Sequence, residues 1–190
     1  MSKKELTARI QAISQVIDGR QVVDNRPLEV CIKGSVLGFP ASIEAINASW
    51  PFGVTYNLDT KIVIDPSRQQ SGVSLKMTVA PRSVTGPIAI VARLLLFESK
   101  GMPVGDKRFD SRFVIGYNNV RLAERFARYP GVYENIAKLD QFCKFSELHI
   151  YSDAGISLSQ PRAFSTLDYD ICRETFRILG ELGQVLFDAF

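Results

Sequence analysis

Asp106 and Asp110 stand four residues apart in the stretch Gly105-Asp-Lys-Arg-Phe-Asp-Ser-Arg-Phe-Val-Ile-Gly-Tyr117, with Lys107, Arg108 and Arg112 around them. Paired carboxylates can exchange a proton in acid/base chemistry or hold a hard cation such as magnesium. The same residues read differently as the start of a strand over 109–117, because positions 106, 108, 110 and 112 then share one side. Both aspartates would meet Arg108 and Arg112, and an ion-pair ladder is expected in place of a catalytic or metal pair.

His149 is the single histidine, so any imidazole-based mechanism runs through it. It alternates with Leu148 and Ile150 and therefore faces away from them, as an exposed or half-exposed strand residue. Glu147, Tyr151 and Asp153 make its surroundings polar, but the chain has no Gly-x-Ser-x-Gly elbow, and Ser-His-Asp catalysis is not expected. An enzymatic reading rests on Asp106, Asp110 and His149 alone, and it is the alternative to a non-catalytic one.

Neither Gly-x-Gly-x-x-Gly nor Gly-x-x-x-x-Gly-Lys-Ser/Thr occurs, which disfavours nucleotide binding through those loops. One His and three scattered cysteines, Cys31, Cys143 and Cys172, give no metal motif and no disulfide framework, so three reduced, buried thiols and no cofactor are expected. Arg121, Arg125 and Arg128 recur on one face of a helix and, with Arg108 and Arg112 upstream, form the candidate surface for an anionic ligand or RNA. No RRM, KH or helix-turn-helix signature accompanies them, and a solvated helix face is the competing account.

Aromatic side chains supply the remaining candidates. Trp50 and Phe52, in Trp50-Pro-Phe-Gly53, with Tyr56 just beyond, could line a pocket or an interface, or anchor a core turn. Phe187 and Phe190 end a helix that is apolar around much of its circumference. Such a helix must be covered by its own domain, by a second subunit or by a membrane surface, and its acidic Glu181 and Asp188 argue against anionic lipid. A dimer through it is the expectation.

The elements that must position these residues follow from periodicity. Leu6, Ile10, Ile13 and Ile17 mark a first helix that Gly19 ends. Residues about 21–80 read as short strands with turn signals between them, including an alternating Val73-to-Val79, while Ala41–Ser49 is open between strand and helix. Pro87–Lys100 reads as a buried helix, or else a strand. A helix capped by Asn118 or Asn119 runs to about Tyr129, another to about Leu139, and Leu148, Ile150, Ile156 and Leu158 mark a hairpin over 146–160. The last helix starts at Thr166 or Asp168, and its Gly180 and Gly183 call for a closely packed neighbour.

The expected fold is therefore α+β: an antiparallel meander of short strands, from about 21–80, 109–117 and the 146–160 hairpin, packed with N-terminal, central and C-terminal helices. One domain over 1–190 is preferred to a division into 1–84 and 85–190. The 190 residues are enough for an unstapled core, and a formal charge of +3 is too small to imply polyanion binding alone. The charge is uneven, with nine basic and five acidic residues in 93–138 but four and eight in 139–190. No signal peptide or membrane-spanning run is read, which places the chain in the cytoplasm. Together these point to a non-catalytic interaction or scaffold protein that self-associates.

Overall fold

The structure, a computed structural model, describes residues 3–22, 28–46, 53–59, 74–82, 103–161 and 164–190. Trp50, Phe52 and the element expected over Pro87–Lys100 lie outside these residues. In chain order the elements are α1 (Lys3–Val16), β1 (Arg20–Gln21), β2 (Leu28–Val36), β3 (Phe39–Ile46), β4 (Gly53–Asp59), β5 (Lys76–Pro81), α2 (Lys107–Arg112), β6 (Phe113–Tyr117), α3 (Val120–Ala127), α4 (Val132–Phe142), β7 (Glu147–Tyr151), β8 (Gly155–Gln160), a short 3-10 turn at Phe164–Thr166 and α5 (Tyr169–Ala189). The fold is α+β.

Among the described residues, eight strands form one antiparallel sheet in the order β1-β2-β3-β4-β8-β7-β5-β6. The first four strands are the expected meander, but the β7–β8 hairpin then inserts between β4 and β5. Residues that alternate along each strand align across it. Ile32, Ile43, Tyr56, Leu158, Leu148, Val79 and Ile115 form one register row over seven strands, and all are buried. One residue along each strand, the side chains point the other way. The adjacent row is Lys33, Ser42, Asn57, Ser157, His149, Thr78 and Gly116, and none of these is buried. One face of the sheet is thus apolar and the other polar.

Helices cover the apolar face. α1 lays Ile10, Ile13 and Ile17 on β2, and α5 packs on α1, β2, β4 and β8 with Cys172, Phe176, Leu179, Leu182 and Leu186 buried. α3 and α4 join them through Phe126, Val132, Ile136 and Leu139. Gly180 has the close neighbour that its place in a helix demands: a Cβ there would come within 2.9 Å of Leu37 Cδ1 at the β2–β3 turn. The C-terminal helix is consequently covered by its own fold, with ten buried residues along its length. Its apolar circumference does not call for a second subunit.

Two local expectations change. Ala41–Ile46 belongs to strand β3, and residues 47–49 of the segment left open lie outside the described residues. The strand expected from Phe109 begins only at Phe113, because residues 107–112 form a helical turn and a half. Asp106 caps that helix by accepting from Arg108 N at 2.8 Å. A side-chain oxygen satisfying a first-turn N–H favours helix over extended chain at this point.

Candidate functional site

The helical form of α2 removes the alternation on which an Asp–Arg ladder depends, but the charges still neutralise one another. Arg108 Nη2 meets Asp106 Oδ2 at 3.0 Å and its Nη1 meets Glu134 Oε1 of α4 at 2.9 Å, while the guanidinium lies 4.6 Å from the Tyr133 ring centroid. Arg112 reaches a different carboxylate, the buried Asp140, through Nε at 3.1 Å and Nη2 at 2.9 Å. Asp110 Oδ1 accepts from Val104 N at 2.9 Å. Asp106 and Asp110 are therefore engaged in a helix cap, an ion pair and a loop bond.

Hydrogen bonds from the Arg108 side chain hold Asp106 below its usual carboxylate value, against desolvation pushing the other way. Glu174 is lowered for the same reason, by Arg177. A carboxylate depressed in the folded state contributes stability that is present above its unfolded pKa and lost as pH falls through the folded one. Melting followed by circular dichroism should therefore show a falling Tm as the solution is acidified below the ordinary carboxylate range. Asp106→Asn, which keeps a capping oxygen but no charge, should flatten part of that fall; superimposable profiles for the two proteins would refute the assignment.

Arg121, Arg125 and Arg128 all lie on or at the end of α3 and are exposed. Arg128 Nη2 is 3.8 Å from Glu124 Oε2 and also lies 3.3 Å from where a Cβ on Gly105 would stand, so this end of α3 adjoins the entry to α2. Arg125 lies over the ring of Phe190, 5.7 Å from its centroid. Arg128 thus adjoins the entry to α2 and Arg125 adjoins Phe190, while carboxylates face Arg108, Arg112 and Arg128. Phe187 and Phe190 are half-buried.

Tyr56 is fully buried and packs edge-on against Phe176 at 5.4 Å. Its hydroxyl donates to Gln160 Oε1 at 2.9 Å and lies 3.8 Å from Cys172 Sγ, and Gln160 Nε2 donates to the carbonyl of Cys143. This buried network joins β4, β8 and the ends of α4 and α5, and each polar group in it has a partner. Burial pushes the Cys143 and Cys172 thiols up to about 12. Both remain protonated, and with Cys31 they are buried and outside any disulfide.

His149 is placed as its alternation implies, on the polar face. Its partners come from two strands: Nδ1 lies 3.1 Å from Thr78 Oγ1 on β5, and Nε2 lies 3.2 Å from Glu147 Oε2 two residues back on β7. The Tyr151 ring lies parallel to the imidazole within 3°, at 6.1 Å between centroids. Further along the row, Ser157 Oγ donates to Asn57 Oδ1 at 2.8 Å, and Asn57 Nδ2 donates to Ser42 Oγ at 3.3 Å. Asp106 and Asp110 do not join this group: α2 packs Phe109 against Phe113 and Tyr133, on the helix-covered side of the sheet. Local alternation was enough to find His149 and Glu147, whereas Thr78 becomes visible only through the β5–β7 pairing.

Among the described residues, no group of three or more His, Cys, Asp or Glu side chains could hold a metal ion, and no helix is long and apolar enough to cross a membrane. The arrangement defines an α+β protein with one helix-covered and one polar sheet face. No family model and no curated protein matches the sequence. Among solved structures, the mycobacterial trehalose monomycolate transport factor A, TtfA, is similar over 97% of this chain and 96% of its own, with a TM-score of 0.59 and 11% identity. At that identity the likeness is one of fold.

Proposed function

We propose that this protein is an accessory factor that works by binding another protein, a second copy of itself included, rather than by turnover at its aspartates. The observation that carries the reading is the engagement of Asp106 and Asp110 in the cap, ion pair and loop bond of α2, on the other side of the sheet from His149. Those carboxylates build the α2–α4 corner, where structural ion pairs are a sufficient reason for perturbed charge. A fold shared along nearly the whole chain with a protein described as a transport factor supports an accessory role by analogy. The cytoplasm is the compartment that suits three buried cysteines outside any disulfide.

Self-association has to use a surface other than the buried face of α5. Light scattering on the full chain over the micromolar range is expected to give the mass of two chains. A single-chain mass throughout that range would remove self-association and confine the proposal to a different protein partner. Arg108, Arg112 and Arg128 each face a carboxylate, which reduces the positive charge that α2 and α3 could offer an anionic ligand or RNA.

A further inference from the structure

Glu147, His149 and Thr78 are ordered as an acid, a base and a hydroxyl. An ionised carboxylate can only accept, so in the neutral imidazole Nε2–H donates to Glu147 and the Nδ1 lone pair accepts from the Thr78 hydroxyl. Both distances, 3.2 Å and 3.1 Å, lie within the reach that defines an activated nucleophile: a hydroxyl on a base, and the base oriented by a third group. The geometry is recognised by roles and not by chain order, and here Nδ1 faces the hydroxyl while Nε2 faces the carboxylate. We propose that Thr78 is the nucleophile of this carboxylate–imidazole–hydroxyl relay and takes an acyl group from activated esters.

Three features of the sheet favour that role. Thr78 and His149 are direct cross-strand partners, and Thr is stiff at χ1 through its β-branch, so Oγ1 is set toward the imidazole before any substrate arrives. The side chains of His149 and Glu147 are 20% and 21% exposed, which removes most water from the relay while leaving it open to a small reagent. On the other side of Thr78 its cross-strand partner is Gly116 of β6, which has no side chain to occupy the space an acyl group would need.

The step balances without an oxidant or reductant. Thr78 Oγ1 forms a bond to the ester carbonyl carbon as its proton passes to Nδ1 of His149, and Glu147 stabilises the resulting imidazolium. Collapse of the tetrahedral carbon breaks the ester C–O bond, and the leaving alcohol takes the proton from His149. The product is an ester on Thr78, which water attacks with His149 again as base, releasing the carboxylic acid. This activity is additional to the binding role and does not rest on it.

The full chain, treated with p-nitrophenyl acetate and digested, is expected to carry an acetyl group on Thr78 by peptide mass spectrometry. Thr78→Val should lose that label and Thr78→Ser should keep it. His149→Gln should slow labelling by roughly 100-fold or more, the usual worth of a positioned general base. Gly116→Val, which fills the space beside the hydroxyl, should slow it as well, with melting curves confirming that each variant is folded. Acetyl groups confined to lysines in the wild type, or nitrophenol release at an unchanged rate in Thr78→Val, would overturn the proposal. Should Thr78→Val fail to fold, labelling at Thr78 that is equal in His149→Gln and wild type would overturn it by the same reasoning.

Discussion

Gly34→Ala is expected to cost roughly 3 kcal/mol or more, at or beyond the upper end for overpacking a tight site. Gly34 lies two residues before the end of β2, where the turn that ends α1 crosses the strand. A Cβ at this position would overlap the carbonyl oxygen of Ile17 and lie 2.7 Å from Gly19 Cα and 2.9 Å from Gly19 N. All three are backbone atoms, so no rotamer change relieves the clash. Ile17 O also accepts from Ser35 N at 2.6 Å, which ties the same turn to the same strand. Making room for one methyl group therefore means lifting α1 from β2, and with it Ile13 and Ile17, both buried against the sheet.

Thermal unfolding should register this as a fall in Tm of about 10 °C for a chain of this size. The control is Gly38→Asn in the β2–β3 turn, where φ is +85° and nothing lies within 4 Å of the added Cβ. Asn tolerates the left-handed region, so its cost should stay below about 1 kcal/mol. Equal losses at the two positions would show that α1 shifts over β2 at little cost, and would refute the crossing as the reason for Gly34.

That crossing also shows where sequence reasoning reaches and where it stops. Ile10, Ile13 and Ile17 mark the buried face of α1 because helical periodicity is local, and the same holds for the Asn119 cap and the alternation of Leu148 with His149. The neighbour that each face meets is not local. Nothing near Gly34 announces α1, and nothing near β4 announces that β8 will pair with it. Likewise, the alternation of Phe113 and Ile115 runs backward without a visible break into Phe109, and only the Asp106 cap decides that 107–112 coil into a helix.

The candidate site divides along the same line. His149 is legible as a polar-face residue from its own strand, but Thr78 lies 71 residues away and reaches it only when β5 pairs with β7. The arginine spacing on α3 is legible too, whereas the carboxylates that face the basic residues of this region are spread over Asp106, Glu124, Glu134 and Asp140. Spacing reports which side chains share a face. Charge neutralisation depends on which elements the fold brings opposite them.

Cutting the chain within residues 83–102 should leave neither piece folded, and this is the largest effect expected of any single change. β5 belongs by sequence to the N-terminal piece, yet both of its sheet partners, β6 and β7, belong to the C-terminal one. β4 would lose β8 in the same way. The cut thus breaks the sheet at three strand pairs and interrupts the apolar row between Tyr56 and Leu158, between Leu148 and Val79 and between Val79 and Ile115. α5 compounds the loss, because it packs on β2 and β4 from one piece and β8 from the other. Each piece would expose strand edges and a partly uncovered apolar face, the conditions for aggregation rather than independent folding. Separately purified pieces are expected to melt without a cooperative transition, while co-expressed pieces recover one by pairing β4 with β8 and β5 with β7. A cooperative transition in residues 1–84 alone would mean that β1 to β4 and α1 are a sufficient core, and that the chain is two folding units sharing a sheet.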